Sequence, residues 1–273
     1  MPTLSGLFNT YKTNKNIRTN GEISQENGDF SLITLHNGDC LKLMKDIPDE
    51  SVDLILCDPP YGTTAYKWDS VLSFNSLWDE YNRILKPNGA TLLFSVQPFT
   101  ARLINSNPKA FRYCWYWLKN MPTGFAYARY QPMRKVEDIC VFYRKMPTYN
   151  PQGVRARKHP RMRPYRAPKD SDLYHMRSKT DTFTNKLTGF PLNVLEYKCE
   201  RGHHPTQKPV PLLEYLVRTY TNEGDTVLDN CMGSGSTGVA VQRVGGRSFI
   251  GIEQNPIYFE IAQKRIQEET TKL

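Results

Sequence analysis

No two of the six cysteines lie close enough in the sequence to form a zinc or redox pair: Cys40, Cys57, Cys114, Cys140, Cys199 and Cys231 are scattered through 273 residues. That spacing points away from a metal motif and from a disulfide framework, so no metal is expected and a reducing cytoplasm is the expected setting. Apolar runs long enough for a membrane span are missing, and the first residues carry no basic and then apolar signal segment. Acids are scarce in one place. Residues 144–179 hold eleven Lys or Arg against two acids, while the remaining 25 bases are matched by 25 acids. The formal net charge of +9 is therefore concentrated in one mid-chain segment. Such a local excess suits a polyanion, because Lys and Arg neutralise phosphates and release counterions. Arg155, Arg157, Lys158, Arg161, Arg163 and Arg166 are the expected nucleic-acid contacts.

What is present is a chain long enough for one α/β domain with a sizeable core and a small insertion. Residues 1–30, rich in Asn, Thr, Lys, Ser and Gly, are expected to form a flexible extension. From Ser31 short apolar strands alternate with amphipathic helices, the pattern of βα units on a mostly parallel, doubly wound sheet. Strands are expected at 31–36, 51–57, 90–96, 112–118, 136–143, 225–229 and 247–252, with helices at 40–47, 74–85, 98–106, 210–222, 235–244 and 255–269. Periodicity fails across 144–202, a stretch too long for a structureless loop in a compact domain, so it is expected to be a separate recognition insert. Tyr149, Tyr165 and Tyr174, interleaved with its bases, suit either stacking on nucleic acid or a small core of the insert.

Two loops carry the chemistry. The apolar strand Thr226-Val227-Leu228-Asp229 runs into Asn230-Cys231-Met232-Gly233-Ser234-Gly235-Ser236-Thr237-Gly238 and then a helix, the layout of a nucleotide site in which glycines admit the ligand to the backbone. The next strand ends in Glu253, placed to accept hydrogen bonds from ribose hydroxyls. Taken alone, Gly233, Gly235 and Gly238 with Glu253 also match a nicotinamide dinucleotide fingerprint. The second loop, Asp58-Pro59-Pro60-Tyr61-Gly62, follows the apolar strand Val52–Cys57. Its tandem prolines fix φ and forbid helix, so a carboxylate, a carbonyl and an aromatic ring stand in a rigid row.

Asp58-Pro59-Pro60-Tyr61 resembles the catalytic motif of S-adenosylmethionine-dependent DNA amino-methyltransferases acting on adenine N6 or cytosine N4. Asp229–Gly238 resembles their cofactor loop, with Asn230-Cys231 where that family usually has Pro-Phe. His204-Pro205-Thr206-Gln207-Lys208-Pro209 resembles the motif associated with the cofactor's methionine carboxylate, Asn37-Gly38-Asp39 the segment near its adenine, and Arg134–Phe142 with Glu137 the strand after the catalytic region. The order of motifs resembles the beta class. The resemblance implies a Rossmann-like sheet of seven strands, a catalytic half at 31–143, a target recognition insert at 144–202 and a cofactor half at 203–273. It implies catalytic roles for Asp58, Pro59, Pro60 and Tyr61, and cofactor contacts from Asp39, Thr206, Lys208, Asp229, Gly233, Gly235 and Glu253.

Double-stranded DNA is then the expected partner, with a homodimer and a separate restriction endonuclease left open. In the implied chemistry Asp58 and the Pro59 carbonyl accept the two amine hydrogens of a base swung out of the duplex, and Tyr61 stacks on it. Cytosine C5 chemistry is set aside because that family's nucleophile follows a proline and no Pro-Cys pair occurs here. The Asp-first motif favours adenine N6 over cytosine N4. A nicotinamide enzyme leaves Asp58 and the basic insert without a role, and a non-catalytic DNA-binding module leaves both ligand loops idle.

Overall fold

The computed structural model describes residues 17–18, 31–62, 72–164, 182–200, 202 and 207–270. They form two compact units, Pro151–Leu192 and the rest of the chain. The strands are β1 (Ile17–Arg18), β2 (Ile33–Asn37), β3 (Val52–Cys57), β4 (Leu85–Ser95), β5 (Phe111–Thr123), β6 (Arg134–Phe142), β7 (Arg155–Pro164), β8 (Thr182–Thr188), β9 (Val194–Tyr197), β10 (Thr226–Asp229) and β11 (Ser248–Glu253). The helices are α1 (Cys40–Leu43), α2 (Phe74–Ile84), α3 (Phe99–Ser106), α4 (Val210–Tyr220), α5 (Ser236–Val244) and α6 (Pro256–Thr270).

In the larger unit nine strands make one sheet in the order β1-β2-β11-β10-β3-β4-β6-β5-β9. Every neighbouring pair is parallel except those that β6 makes with β4 and β5. All seven expected strands form. Two more join them: β1, inside the segment expected to be a flexible extension, and β9, inside the expected insert. Both are short edge strands, and β9 has only Leu195 buried, so neither carries the periodic apolar signal of a central strand.

The central strands are apolar on both faces because helices cover both. Leu54 and Leu56 of β3 face one core with Leu92, Phe94 and Val227, closed by Leu213, Leu216 and Val217 of α4 and Val239 of α5. Ile55 and Cys57 face the other, with Leu93, Leu228, Leu77 and Tyr81 of α2 and Leu103 of α3. Asp53, at the start of β3, ties three strands together. Its carboxylate accepts from Lys86 Nζ at 2.8 Å and from the Thr226 amide at 2.9 Å. β10 pairs with β3 through Val227↔Leu54 and Leu228↔Ile55, where chain order along the sheet reverses. In such sheets ligands sit in the crevice beyond the carboxyl ends of the two strands at the reversal, which here end at Asp229 and Cys57.

The smaller unit is an antiparallel pair, β7 with β8, whose register shifts between Ala156 and Arg161. Gly153 and Gly189 meet so closely that a Cβ on Gly189 would lie 2.3 Å from the Gly153 carbonyl oxygen. This unit is narrower than the insert expected at 144–202. Asn150 is bound into the main unit through its amide to Thr219 O at 2.7 Å, and β9 pairs in parallel with β5. Tyr149 also belongs there. Its ring packs 5.9 Å from that of Tyr220, so it is not part of a core of the insert, while Tyr165 and Tyr174 lie outside the described residues.

Candidate active site

Asp58 leaves the carboxyl end of β3 with its carboxylate already engaged. Oδ2 accepts from Lys208 Nζ at 2.6 Å, and Oδ1 accepts a hydrogen bond from the Tyr61 hydroxyl. The Tyr61 ring rests on Phe99, 5.0 Å between centroids. Lys208 also lies 3.4 Å from Glu137 Oε2, and Lys119 Nζ lies 2.8 Å from Glu137 Oε1. Two carboxylates and two ammonium groups thus form one charge-balanced cluster, in which Lys119 is only 3% exposed. Unpaired charges at such depth would be costly, so each ion is retained by its counter-ions.

The sheet explains how these groups meet. On β5, Trp115, Trp117 and Lys119 share one face by the two-residue repeat of a strand, and on β6 Glu137, Ile139 and Val141 do the same, with Trp117 paired to Glu137. Lys208 enters on the same side, just ahead of α4, with its ammonium 5.1 Å from the centre of the Phe94 ring. Burial pushes Asp58 above the ordinary carboxylate range, opposed by Lys208 and the Tyr61 hydroxyl. Burial acts upward on Glu137 too, but Lys208 and Lys119 outweigh it and hold Glu137 below its usual value. Burial alone would lower Lys208; Asp58 and Glu137 reverse this and raise it to about 12.

The glycine loop is built around Asp229. Its carboxylate accepts from the Thr237 hydroxyl at 2.6 Å and the Cys231 amide at 3.1 Å, which closes the loop on itself. Burial raises Asp229 to about 7, with those two donors opposing. Glu253, at the end of β11, accepts from the Gly233 and Asn255 amides, both at 2.8 Å. Arg265 of α6 braces the loop from behind, donating to Ser234 O at 2.6 Å. Gly233 lines the cavity, whereas Gly235, expected at the cofactor, and Gly238 are not among its lining residues and serve helix packing. A Cβ on Gly235 would lie 2.8 Å from Ala262 Cβ, and one on Gly238 would lie 2.4 Å from Ile266 Cδ1. Asn230, at the position usually held by proline in the resembled family, accepts a buried hydrogen bond from the Tyr81 hydroxyl at 2.6 Å. Asp39 caps α1, its carboxylate accepting from the Leu41 amide at 2.9 Å.

One cavity of about 710 Å³ joins these parts, lined by Gly38, Asp39, Asp58, Pro59, Pro60, Tyr61, Lys208, Asp229, Gly233 and Glu253, among others. Its chemistry fits S-adenosylmethionine. Glu253 can accept from a ribose diol, and the loop backbone faces the same space. Lys208, expected at the methionine carboxylate, lines this cavity with its ammonium on Asp58 and Glu137, the carboxylates that balance a buried cation. Thr206 and Arg166 lie outside the described residues, as do the side chains of Arg161 and Arg163; Arg155 and Lys158 are exposed on β7 and Arg157 donates to Leu187 O at 3.0 Å. Lys119 is the member that sequence patterning missed. Its signal was a lysine in phase with Trp115 and Trp117 on one strand face, which calls for a buried partner.

Among the described residues no helix is long and apolar enough to cross a membrane. The family model described as DNA methylase matches residues 52–264. The type II methyltransferase M2.DpnII of Streptococcus pneumoniae is 30% identical over 267 residues, covering 87% of this chain and 90% of that protein. The DNA adenine methyltransferase YhdJ of Escherichia coli is 29% identical over 275 residues, covering 85% of this chain and 82% of that protein. Among solved structures, the complex of M1.HpyAVI with S-adenosylmethionine superposes with a TM-score of 0.58 at 25% identity, over 86% of this chain and 100% of that one. A match spanning most of the chain, on a sheet whose reversal point brings Asp58 and the Asp229 loop into one cavity, places this chain in the S-adenosylmethionine-dependent DNA methylase family.

Proposed function

We propose that this protein methylates adenine N6 of a base turned out of duplex DNA. The observation that carries the reading is Asp58 at the cavity wall, held by Lys208 at 2.6 Å, in the same cavity as Glu253 and the glycine loop. The exocyclic amine is a poor nucleophile because its lone pair is delocalised into the ring. Asp58 and the Pro59 carbonyl, fixed by the tandem prolines, accept its two hydrogens and turn the lone pair out of the ring plane. Lys208 opposes the rise that burial imposes on Asp58 and fixes the orientation of its carboxylate. Tyr61 offers an aromatic face to the flipped base, offsetting part of the unstacking cost. S-adenosylmethionine, when bound along Glu253 and the loop, would supply the electrophilic methyl group, its sulfur–methyl bond breaking to leave the neutral thioether, and the proton lost from the methylated nitrogen would pass to Asp58 or to water.

The Asp-first motif supports adenine over cytosine N4, as does the adenine specificity named for the Escherichia coli relative. The basic strand β7, with Arg155, Arg157 and Lys158, is assigned to DNA phosphates, and the unit that bears it to target recognition. A cytoplasmic setting suits the thiols of all six cysteines. A homodimer and a separate endonuclease partner are tested by sedimentation and by co-purification. The function itself is tested by incubating duplex DNA with labelled cofactor and the Asp58→Ala variant. The variant is expected to keep cofactor affinity and lose transfer; unchanged turnover refutes the mechanism, and label on cytosine refutes the choice of base.

A further inference from the structure

The hairpin between β5 and β6 carries an exposed aromatic tip at the mouth of the reaction cavity. β6 is antiparallel to both β4 and β5, so β5 runs parallel to β3 and β4 and ends on the same side of the sheet as Asp58. The last residues of β5, Met121, Pro122 and Thr123, line the cavity itself. Beyond them the chain turns at Gly124, whose φ of +91° favours glycine, passes through one 3-10 turn at Phe125–Tyr127, and returns as β6 at Arg134.

Phe125 is 82% exposed, Tyr127 62% and Tyr130 87%. Three large exposed rings thus lie within six residues, more aromatic surface than so short a turn usually leaves open without a use. The tip is nonetheless built. Amide-to-carbonyl bonds run from Tyr127 to Gly124 at 3.0 Å, from Ala128 to Phe125 at 3.0 Å and from Tyr130 to Tyr127 at 2.8 Å. Such a turn presents its side chains without first paying to order the backbone. The charge of the hairpin itself has one sign. Residues 124–136 contain Arg129, Arg134 and Lys135 and no Asp or Glu. Aromatic rings among cations, with no acid, suit nucleic acid, because bases stack on the rings while phosphates meet the cations.

We infer that the 124–133 hairpin is a second DNA-contacting element, distinct from the basic strand β7, whose rings stack on the bases left unpaired when the target leaves the duplex. Arg129, Arg134 and Lys135 hold the neighbouring phosphates. The inference rests on the proposed function, since only an enzyme that extracts a base leaves such a gap beside its cavity.

The test uses Phe125→Ala, Tyr127→Ala, Tyr130→Ala and the triple variant of the full chain, on two duplexes that differ only opposite the target. One has the intact partner base, the other an abasic site. Methyl transfer gives kcat/KM, and calorimetry with S-adenosylmethionine reports whether the cofactor half is intact. On the intact duplex the single variants with the largest stacking role are expected to lose about tenfold in kcat/KM, as expected for removing one base–aromatic stack, and the triple variant more. On the abasic duplex, where no orphan base remains to be stacked, the variants and the unaltered protein are expected to agree within about threefold, with cofactor affinity unchanged throughout. Equal losses on both duplexes, or no loss on either, overturn the inference. So does a fall in sedimenting mass on substitution, which assigns the rings to a second copy of this chain. Failure of the unaltered protein to methylate any DNA overturns the proposed function as well, whereas failure confined to the variants' pattern leaves that function standing.

Discussion

Lys208 Nζ lies 2.6 Å from Asp58 Oδ2 although 150 positions separate the two residues in the chain. The contact couples the loop after β3 to the segment leading into α4, so the reacting end and the later half of the chain share one buried ion pair. Because Lys208 is raised to about 12 from 10.5, its stabilising contribution is complete below lysine's ordinary value and is lost only as pH rises through about 12. Near neutrality it can therefore be removed only by substitution. Lys208→Met is expected to destabilise the fold by about 3–5 kcal/mol, the cost of stranding a buried partner. It also removes the main cause that lowers Asp58, so the acid limb of the single-turnover pH profile is expected to move to higher pH. An acid limb that stays in place would show that Lys208 does not govern the charge of Asp58.

Lys119 and Glu137 form the more deeply buried half of the same cluster, 2.8 Å apart. Glu137→Gln leaves Lys119, 3% exposed, without its closest counter-ion, whereas Lys119→Met with Glu137→Gln removes both charges. The double variant is expected to be more stable than Glu137→Gln alone, with a coupling of about 0.5–3 kcal/mol in a chemical-denaturation cycle. Additive losses would count against direct coupling.

Asp229 is raised to about 7 from 3.8. A carboxyl group whose native value is raised resists ionisation in the folded state. Its contribution is greatest below the unfolded value and declines as pH rises towards about 7. Asp229→Asn is expected to flatten the change in unfolding midpoint between those two pH values, a difference readable by urea titration at a series of pH values. An unchanged slope would show that Asp229 titrates normally in the native protein.

Gly235 has φ of +77° and its missing Cβ would fall 2.8 Å from Ala262 Cβ. Gly235→Ala is expected to cost about 1–3 kcal/mol in stability, as overpacking does, and more if α6 cannot shift. Thermal unfolding measures the loss. Weaker binding of S-adenosylmethionine should accompany it, because Arg265 of the same helix holds the loop through Ser234.

For the basic strand, replacing Arg155 and Arg157 with Ala is expected to weaken DNA binding similarly for all sequences. It is also expected to reduce the slope of log affinity against log salt by about one unit per lost phosphate contact. A change in sequence preference with no change in slope would instead make these arginines base readers.

Much of the fold was legible in the chain. The βα alternation from Ser31 onward located all seven expected strands, since strands buried on both faces must be apolar throughout, as Leu54, Ile55 and Leu56 are. Strand limits were less legible. β4 begins at Leu85 rather than near residue 90: Leu85 pairs with Val52, a register shift follows across the Pro87–Gly89 stretch that composition marks as a turn, and Ala90 then pairs with Leu54, with Lys86 held on Asp53. The edge strands β1 and β9 had no local signature, since an edge strand is defined by the neighbour it finds.

By itself the sequence determined the two chemical loops, Asp58–Tyr61 and Asp229–Gly238, because rigid prolines and glycines act on the backbone where they stand. It also determined Glu253 as the acid closing the next strand. Only the tertiary structure decided what these groups touch. It brought Lys208 to Asp58, set Lys119 against Glu137, and matched Asn230 with Tyr81. The physical reason is that a buried charge or polar group is satisfied by whatever partner the packed sheet brings within hydrogen-bond reach, and such partners come from any distance along the chain.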